Sequence, residues 1–262
     1  MEFKNKHSMK IVGLDIATKT GISLIEDGKL IKYGMLDIPT EMNLFQRLSF
    51  FENNLIRILN DYNPDYVAME DILLGISGVK TLAYLGRLNG VAISVCYKKL
   101  QNNIQLYMPS EWKANSFEGL NGTSKKVEIQ IAVCKHFNLI EKDLLSSITK
   151  PLDNTNIDLT NVQNKIKDIA LETKKFLAFL SKKRNGPKSD SDRKIFEIKI
   201  QENKELIKKY KEYIIQCNKK IDEIYKNVSL EIMSKCGLTQ DVSDSIGIAY
   251  ALWRKLSLKE KE

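Results

Sequence analysis

The sequence predicts an α/β protein: a mixed sheet flanked by helices, with an inserted antiparallel α-helical coiled-coil hairpin. Three observations predict it. Short apolar runs separated by turn signals fill the start of the chain, helix-period segments then alternate with further strand-like runs, and two long stretches after Pro151 place apolar residues at alternating spacings of four and three.

Lys10 to Leu36 reads as three strands joined by short turns, with Asp27-Gly28 marking a hairpin. Leu44, Leu48, Phe51, Leu55 and Ile58 recur at helical spacing. Pro64 precedes a fourth strand, Tyr66 to Glu70, and a second helix runs from about Val79 to Lys98 with apolar residues on several faces. Ile104 to Met108 supplies the fifth strand and Lys125 to Phe137 a further helix. Residues 1–150 and 229–262 are therefore read as one core, and 151–228 as an insertion.

Within the insertion, Val162, Ile166, Ile169, Thr173, Phe176 and Leu180 form one heptad seam. A second seam runs through Phe196, Ile200, Asn203, Ile207, Tyr210, Ile214, Cys217, Ile221, Ile224 and Val228. Asn185-Gly186-Pro187 between them is a helix stop, so the segment folds back on itself. About 25 paired residues at ~1.5 Å each give an arm on the order of 37 Å.

Charge sits in that arm. Thr160 to Val228 holds 18 Lys or Arg against 10 Asp or Glu, an excess equal to the +8 of the whole chain, so the remainder sums to zero. A solvated coiled-coil exterior is rich in both signs, but an excess this localised suits nucleic-acid phosphate. Lys182, Lys183, Arg184, Lys188, Arg193 and Lys194 near the tip are the expected first contacts. A protein-docking or dimerising arm is the competing reading.

Composition bounds the rest. The chain has 262 residues and an isoelectric point near 9.1, enough for one domain with a sizeable core plus an appendage. Cys96, Cys134, Cys217 and Cys236 show no paired metal spacing and are expected as buried free thiols of a reducing compartment. No run is long and apolar enough to span a membrane, and Met1 to Met9 lacks the apolar stretch of a signal peptide, so a cytoplasmic protein is expected.

Four acids carry the chemistry. Lys10-Ile11-Val12-Gly13-Leu14-Asp15 and Tyr66-Val67-Ala68-Met69-Glu70 are apolar strands that each end in a carboxylate, and Asp241-Val242-Ser243-Asp244 opens an amphipathic helix with two acids on one face. Singly, Asp241 reads as an ordinary N-cap and Glu70 as a solvated strand end. Jointly, Asp15, Glu70, Asp241 and Asp244 offer the hard oxygen ligands that suit Mg²⁺ or Mn²⁺. Two such ions activate water and stabilise the leaving oxygen of a phosphodiester.

The segments Leu14 to Ser23, Asn63 to Glu70, Leu82 to Ile93 and Asp241 to Ala249 resemble, in order and spacing, the RuvC family of Holliday-junction resolvases. The resemblance covers residues 9–150 and 229–257. It implies an RNase H-like fold, a symmetric homodimer through the helix over 79–98, where Gly86 and Gly90 allow close approach, and nicking of branched DNA such as a four-way junction. Carried over by position, Asp15, Glu70, Asp241 and Asp244 fall on metal-binding acids serving two Mg²⁺ (or Mn²⁺) ions. Asp15 would bridge both ions, Glu70 and Asp244 would each anchor one, and Asp241 would complete the site or orient water. Lys126, Lys113 and the neighbouring Lys125 fall where the family keeps basic residues for the substrate phosphate.

This chain also departs from the pattern. Ile16-Ala17 stands where the family usually has Pro-Gly. Leu73 occupies the place of the aromatic that wedges into the junction, so junction opening must differ. A phage-type relative that cuts flaps and branches more generally is the nearest alternative within the class. Outside it stand a nucleotide-binding actin-like domain, which lacks a second Asp-x-Gly turn here, and a non-catalytic junction-binding protein that relies on the basic arm.

Overall fold

A computed structural model describes residues 8–72, 78–181 and 190–259, with the backbone alone for 190–192. It divides into two compact units, one ending at Leu145 and resuming at Ser229, the other Ser146–Val228.

The first unit is built on five strands, β1 (Lys10–Asp15), β2 (Lys19–Glu26), β3 (Lys29–Asp37), β4 (Tyr66–Glu70) and β5 (Ile104–Tyr107), in the order β3-β2-β1-β4-β5. β1 pairs antiparallel with β2 and parallel with β4, and β5 continues parallel, so the sheet is mixed as expected. Asp27 and Gly28 make the β2–β3 turn at φ 48° and 79°, the left-handed pair a two-residue hairpin requires.

One face of the sheet is apolar. Val12, Leu14, Ile22, Leu24, Val67 and Met69 pack there against Phe51, Leu55 and Leu59 of α1 (Leu44–Tyr62) and Leu88, Ala92 and Val95 of α2 (Val79–Leu100). Asn43 caps α1, its side chain accepting from Gln46 N while Gln46 Oε1 accepts from Asn43 N. α7 (Gln240–Lys259) packs on β1 and β2 and is flanked by α3 (Pro109–Asn115) and α4 (Lys126–Phe137). Its residues 242–252 are all buried.

Two further helices, α5 (Lys142–Leu180) and α6 (Asp190–Cys236), supply the second unit. The sequence-based boundary at 150/151 falls inside α5, which runs through Pro151; the Thr155 hydroxyl donates to the Pro151 carbonyl at 2.8 Å. Proline removes one backbone bond, a small loss in a helix of 39 residues. Phe196 packs on Phe176 and Phe179 at ring distances of 5.6 and 5.0 Å, and Asn203 donates to Glu172, so the later residue of α6 meets the earlier residue of α5. Thr173, Ile200, Cys217, Ile221 and Val228 of the predicted seams are buried. Cys96, Cys134 and Cys217 are buried free thiols, whereas Cys236, at the end of α6, is only partly covered.

Candidate active site

Strand periodicity aims the first two carboxylates. Side chains alternate faces along a strand, and Val12, Leu14, Val67 and Met69 occupy the α1–α2 face. Gly13, Asp15, Ala68 and Glu70 therefore look the other way, toward α7. Leu14 pairs with Met69 across the parallel β1–β4 ladder, so Asp15 and Glu70 end adjacent strands side by side. The C-terminal edge of neighbouring parallel strands is the usual place for a site in an open α/β sheet.

Absent side chains bring α7 in. A Cβ on Gly21, the β-ladder partner of Asp15, would collide with the Asp241 carbonyl, and one on Gly13 would strike the Ser245 carbonyl and the Ala249 side chain. Gly247 likewise leaves room for the Trp112 ring, 2.6 Å from where its Cβ would be. The helix start thus lies against the ends of β1 and β2, carrying Asp241 and Asp244 toward Asp15. Thr239, not Asp241, caps α7: its hydroxyl accepts from Val242 N at 3.3 Å. The N-cap reading of Asp241 fails, and its carboxylate faces Lys126 instead.

Lys126, the first residue of α4, places its ammonium 3.1 Å from Asp241 Oδ1 and 3.2 Å from Asp244 Oδ2. Burial pushes its pKa down, but Asp244, Asp15 and Asp241 outweigh that and hold it above the usual lysine range. Asp244, 4 % exposed, is pushed up to about 6 by burial against the opposing pull of Lys126. Asp15 is held well above the ordinary carboxylate range by burial and then by Asp244, with smaller contributions from Glu70 and Asp241. The pocket is therefore short of positive charge.

Trp112 is fully buried, and its Nε1–H donates to Glu70 Oε2 at 2.7 Å. Burial still raises the Glu70 pKa, opposed by that bond and by Lys113 and Lys126. Asn89 Nδ2 donates to the Glu70 carbonyl at 3.3 Å. Lys113 spans from the Trp112 ring to the Ser124 carbonyl, 3.2 Å from its Nζ, and so ties α3 to the loop before α4. Lys125 is exposed at the start of α4. Of the arm residues, Arg193 is exposed and bonded to Glu197 at 3.2 Å, and Lys194 is exposed. Leu73, Lys182, Lys183, Arg184 and Lys188 lie outside the described residues.

Sequence reading missed the part played by Trp112 in orienting Glu70 and the cradle formed by Gly13, Gly21 and Gly247. The one available signal was a glycine inside a helix-period run, Gly247, which implies close approach of a large neighbour.

Among the described residues no three His, Cys, Asp or Glu side chains close into a metal-holding set, since the Lys126 ammonium occupies the oxygens of Asp241 and Asp244. The donor chemistry nonetheless fits a divalent cation. Asp244 Oδ1 is buried with no partner among the described residues, and a charged carboxylate oxygen is not left so without a cation to meet.

Carboxylates at the strand ends of a mixed sheet, with lysines at their side, are the frame of a nuclease. A family model described as "Crossover junction endodeoxyribonuclease RuvC" matches residues 11–169. The chain belongs to the RuvC family and is an endodeoxyribonuclease of that class. The match stops inside α5, so α7 and its two acids lie beyond it. The RuvC of Dictyoglomus turgidum is 32% identical over 130 residues, 48% of this chain and 80% of that protein. The RuvC of Caldicellulosiruptor saccharolyticus is 28% identical over 151 residues, 55% and 85% of the two chains. A solved structure of Thermus thermophilus RuvC covers 50% of this chain and 81% of its own, at 16% identity and a TM-score of 0.43. The mixed five-stranded sheet fits the RNase H-like fold.

Proposed function

We propose that this protein resolves Holliday junctions and related branched DNA by metal-dependent phosphodiester hydrolysis. The observation that carries the reading is the convergence of Asp15 and Glu70, at the ends of β1 and β4, with Asp241 and Asp244 at the start of α7, in a pocket whose buried Asp244 Oδ1 has no partner among the described residues.

These four acids are the ligands for two Mg²⁺ or Mn²⁺ ions. Bound there, the ions supply a lowered water pKa and charge for the leaving oxygen. The chain's own groups do the rest. Trp112 fixes the rotamer of Glu70. Lys126, ion-paired with Asp241 and Asp244, is the positive charge placed to meet the scissile phosphate once cations take up those carboxylates. Lys113 adds a second positive charge beside Glu70 and Asp244, and Lys125 extends the basic edge. Leu73 takes the place of an aromatic wedge. The partner is a second copy docked through α2, where Gly86 and Gly90 are exposed and no neighbour lies close to the Gly90 backbone among the described residues. The second unit is an antiparallel helical hairpin inserted in the nuclease core.

The test is cleavage of an immobile four-way junction beside a linear duplex and a flap, with Mg²⁺, Mn²⁺ or chelator, for the wild type and Asp15→Asn. Paired symmetric nicks that vanish with chelator and in the variant establish the resolvase. Equal cutting of flaps makes it a general branch nuclease, and tight binding with no metal-dependent nick overturns the reading.

A further inference from the structure

We infer that one flank of the helical unit is a track for the phosphates of duplex DNA. This rests on the nuclease reading above and names a further surface that holds the DNA.

α6 is one continuous helix of 47 residues, so residue spacing sorts its faces. Ile200, Cys217, Ile221 and Val228 are buried and define the seam toward α5. Lys204, Lys208, Lys211, Lys219 and Lys226, all exposed, follow at spacings of four, three, eight and seven. At about 100° per residue they lie roughly 80–160° to one side of that seam. Ile195, Leu206 and Tyr213, also exposed, lie about 60–80° to the other side. The two flanks of the same helix thus differ in charge: the first carries these five lysines with Ile215 and Asp222 among them, whereas on the other Lys209 and Lys220 are matched by Glu202 and Glu231 beside the apolar residues.

α5 sharpens the difference. Its Glu172 accepts from Asn203, and its Asp158 lies within electrostatic range of Tyr213. Asp158 therefore leans to the apolar flank and Glu172 meets the seam itself, and neither is paired with a lysine of the row among the described residues. On the row itself, Glu197 is taken up by Arg193 at 3.2 Å, and Asp222 interrupts it only near its far end.

From Lys204 to Lys226 the row is roughly 33 Å long at ~1.5 Å per residue, about the axial rise of one duplex turn. A straight ridge of lysines with that reach meets the phosphates along one duplex flank without reading a base. Such contacts position without specifying sequence, and each one adds to the salt dependence.

The experiment uses full-length protein, measuring binding by anisotropy to four-way junctions with arms of about 10 or about 30 base pairs over a salt series. K204E/K208E/K211E is compared with K165E/K209E/K220E, which makes the same charge change on the opposite flank, and circular dichroism checks that helicity is kept. The row variant is expected to bind the long-armed junction at least about tenfold more weakly and to lower the salt slope by about two to three. The opposite-flank variant should change affinity less than about threefold. K204Q/K208Q/K211Q, which adds no acid, should show about half the row effect on a logarithmic scale. Equal weakening by both Glu variants means net charge alone and overturns the proposal. Wild-type binding by the row variant also overturns it and leaves the unit for a protein partner. Metal-dependent nicking of the short-armed junction is expected to persist in all three. Loss of nicking in the wild type itself would fault the nuclease reading without touching the flank comparison.

Discussion

The indole of Trp112 holds Glu70 by a single bond, Nε1 to Oε2 at 2.7 Å, made inside the core by a side chain with no exposed surface. A half-buried carboxylate with a directional donor on one oxygen keeps the other oxygen aimed. Trp112→Phe keeps most of the packing but removes the donor. It is expected to cut nicking by about 10- to 100-fold, the usual effect of losing a partner that orients a ligand, with a stability loss of about 1–2 kcal/mol. Junction binding should be unchanged; a drop in binding equal to the drop in nicking would mean the fold itself had shifted.

Gly21 and Gly34 separate the cradle from ordinary glycine effects. Both sit in strands, but a Cβ at Gly21 meets the Asp241 carbonyl while one at Gly34 meets nothing within 4 Å. Gly21→Ala should destabilise by about 2 kcal/mol or more, as overpacking does, and push the start of α7 off β2. Gly34→Ala should be neutral or gain a few tenths of a kcal/mol. Thermal melts of the pair check this, and equal melting temperatures would show that α7 yields freely.

The Asp244 carboxyl, held up to about 6 by burial, makes the metal-free protein pH-sensitive. A raised folded-state pKa means that the folded protein binds this proton more tightly than the unfolded chain. Stability from this group is therefore greatest near pH 4 and falls as pH rises through about 6. Asp244→Asn should remove that penalty and stabilise the metal-free protein at neutral pH by roughly 1–3 kcal/mol, with no gain near pH 4. Denaturant melts at the two pH values measure it. Added Mg²⁺ should raise the wild-type melting temperature and leave the Asn variant nearly unmoved.

Thr239 and Asp241 divide capping from chemistry. Since the Thr239 hydroxyl caps α7 through Val242 N, Thr239→Ala should cost about 1 kcal/mol. Asp241→Asn should cost less than about half of that and abolish nicking. If Asp241→Asn proves the more destabilising and still nicks, the assignment is reversed.

Much of the core was legible from the chain. The five strands appeared as apolar runs bounded by Asp27-Gly28 and Pro64, and α1 as the 3.6-residue recurrence of Leu44, Leu48, Phe51 and Leu55, because burial on one face imposes those periods. The sequence places the insertion at 151–228, and the second compact unit spans Ser146–Val228, its first residues lying within α5. The sequence leaves an N-cap role for Asp241 open beside the ligand role, because Asp and Thr compete for the cap and only backbone geometry shows that Thr239 takes it.

By itself the sequence determined which residues end the strands and open the last helix, for these follow from local periodicity and turn chemistry. It also determined that the net charge resides in the insertion, which is a matter of counting. Only the tertiary structure decided that Gly13, Gly21 and Gly247 admit α7, that Trp112 reaches Glu70, and that Lys126 bridges Asp241 and Asp244. Those relationships join residues far apart in the chain through close approach, and close approach depends on which faces pack together.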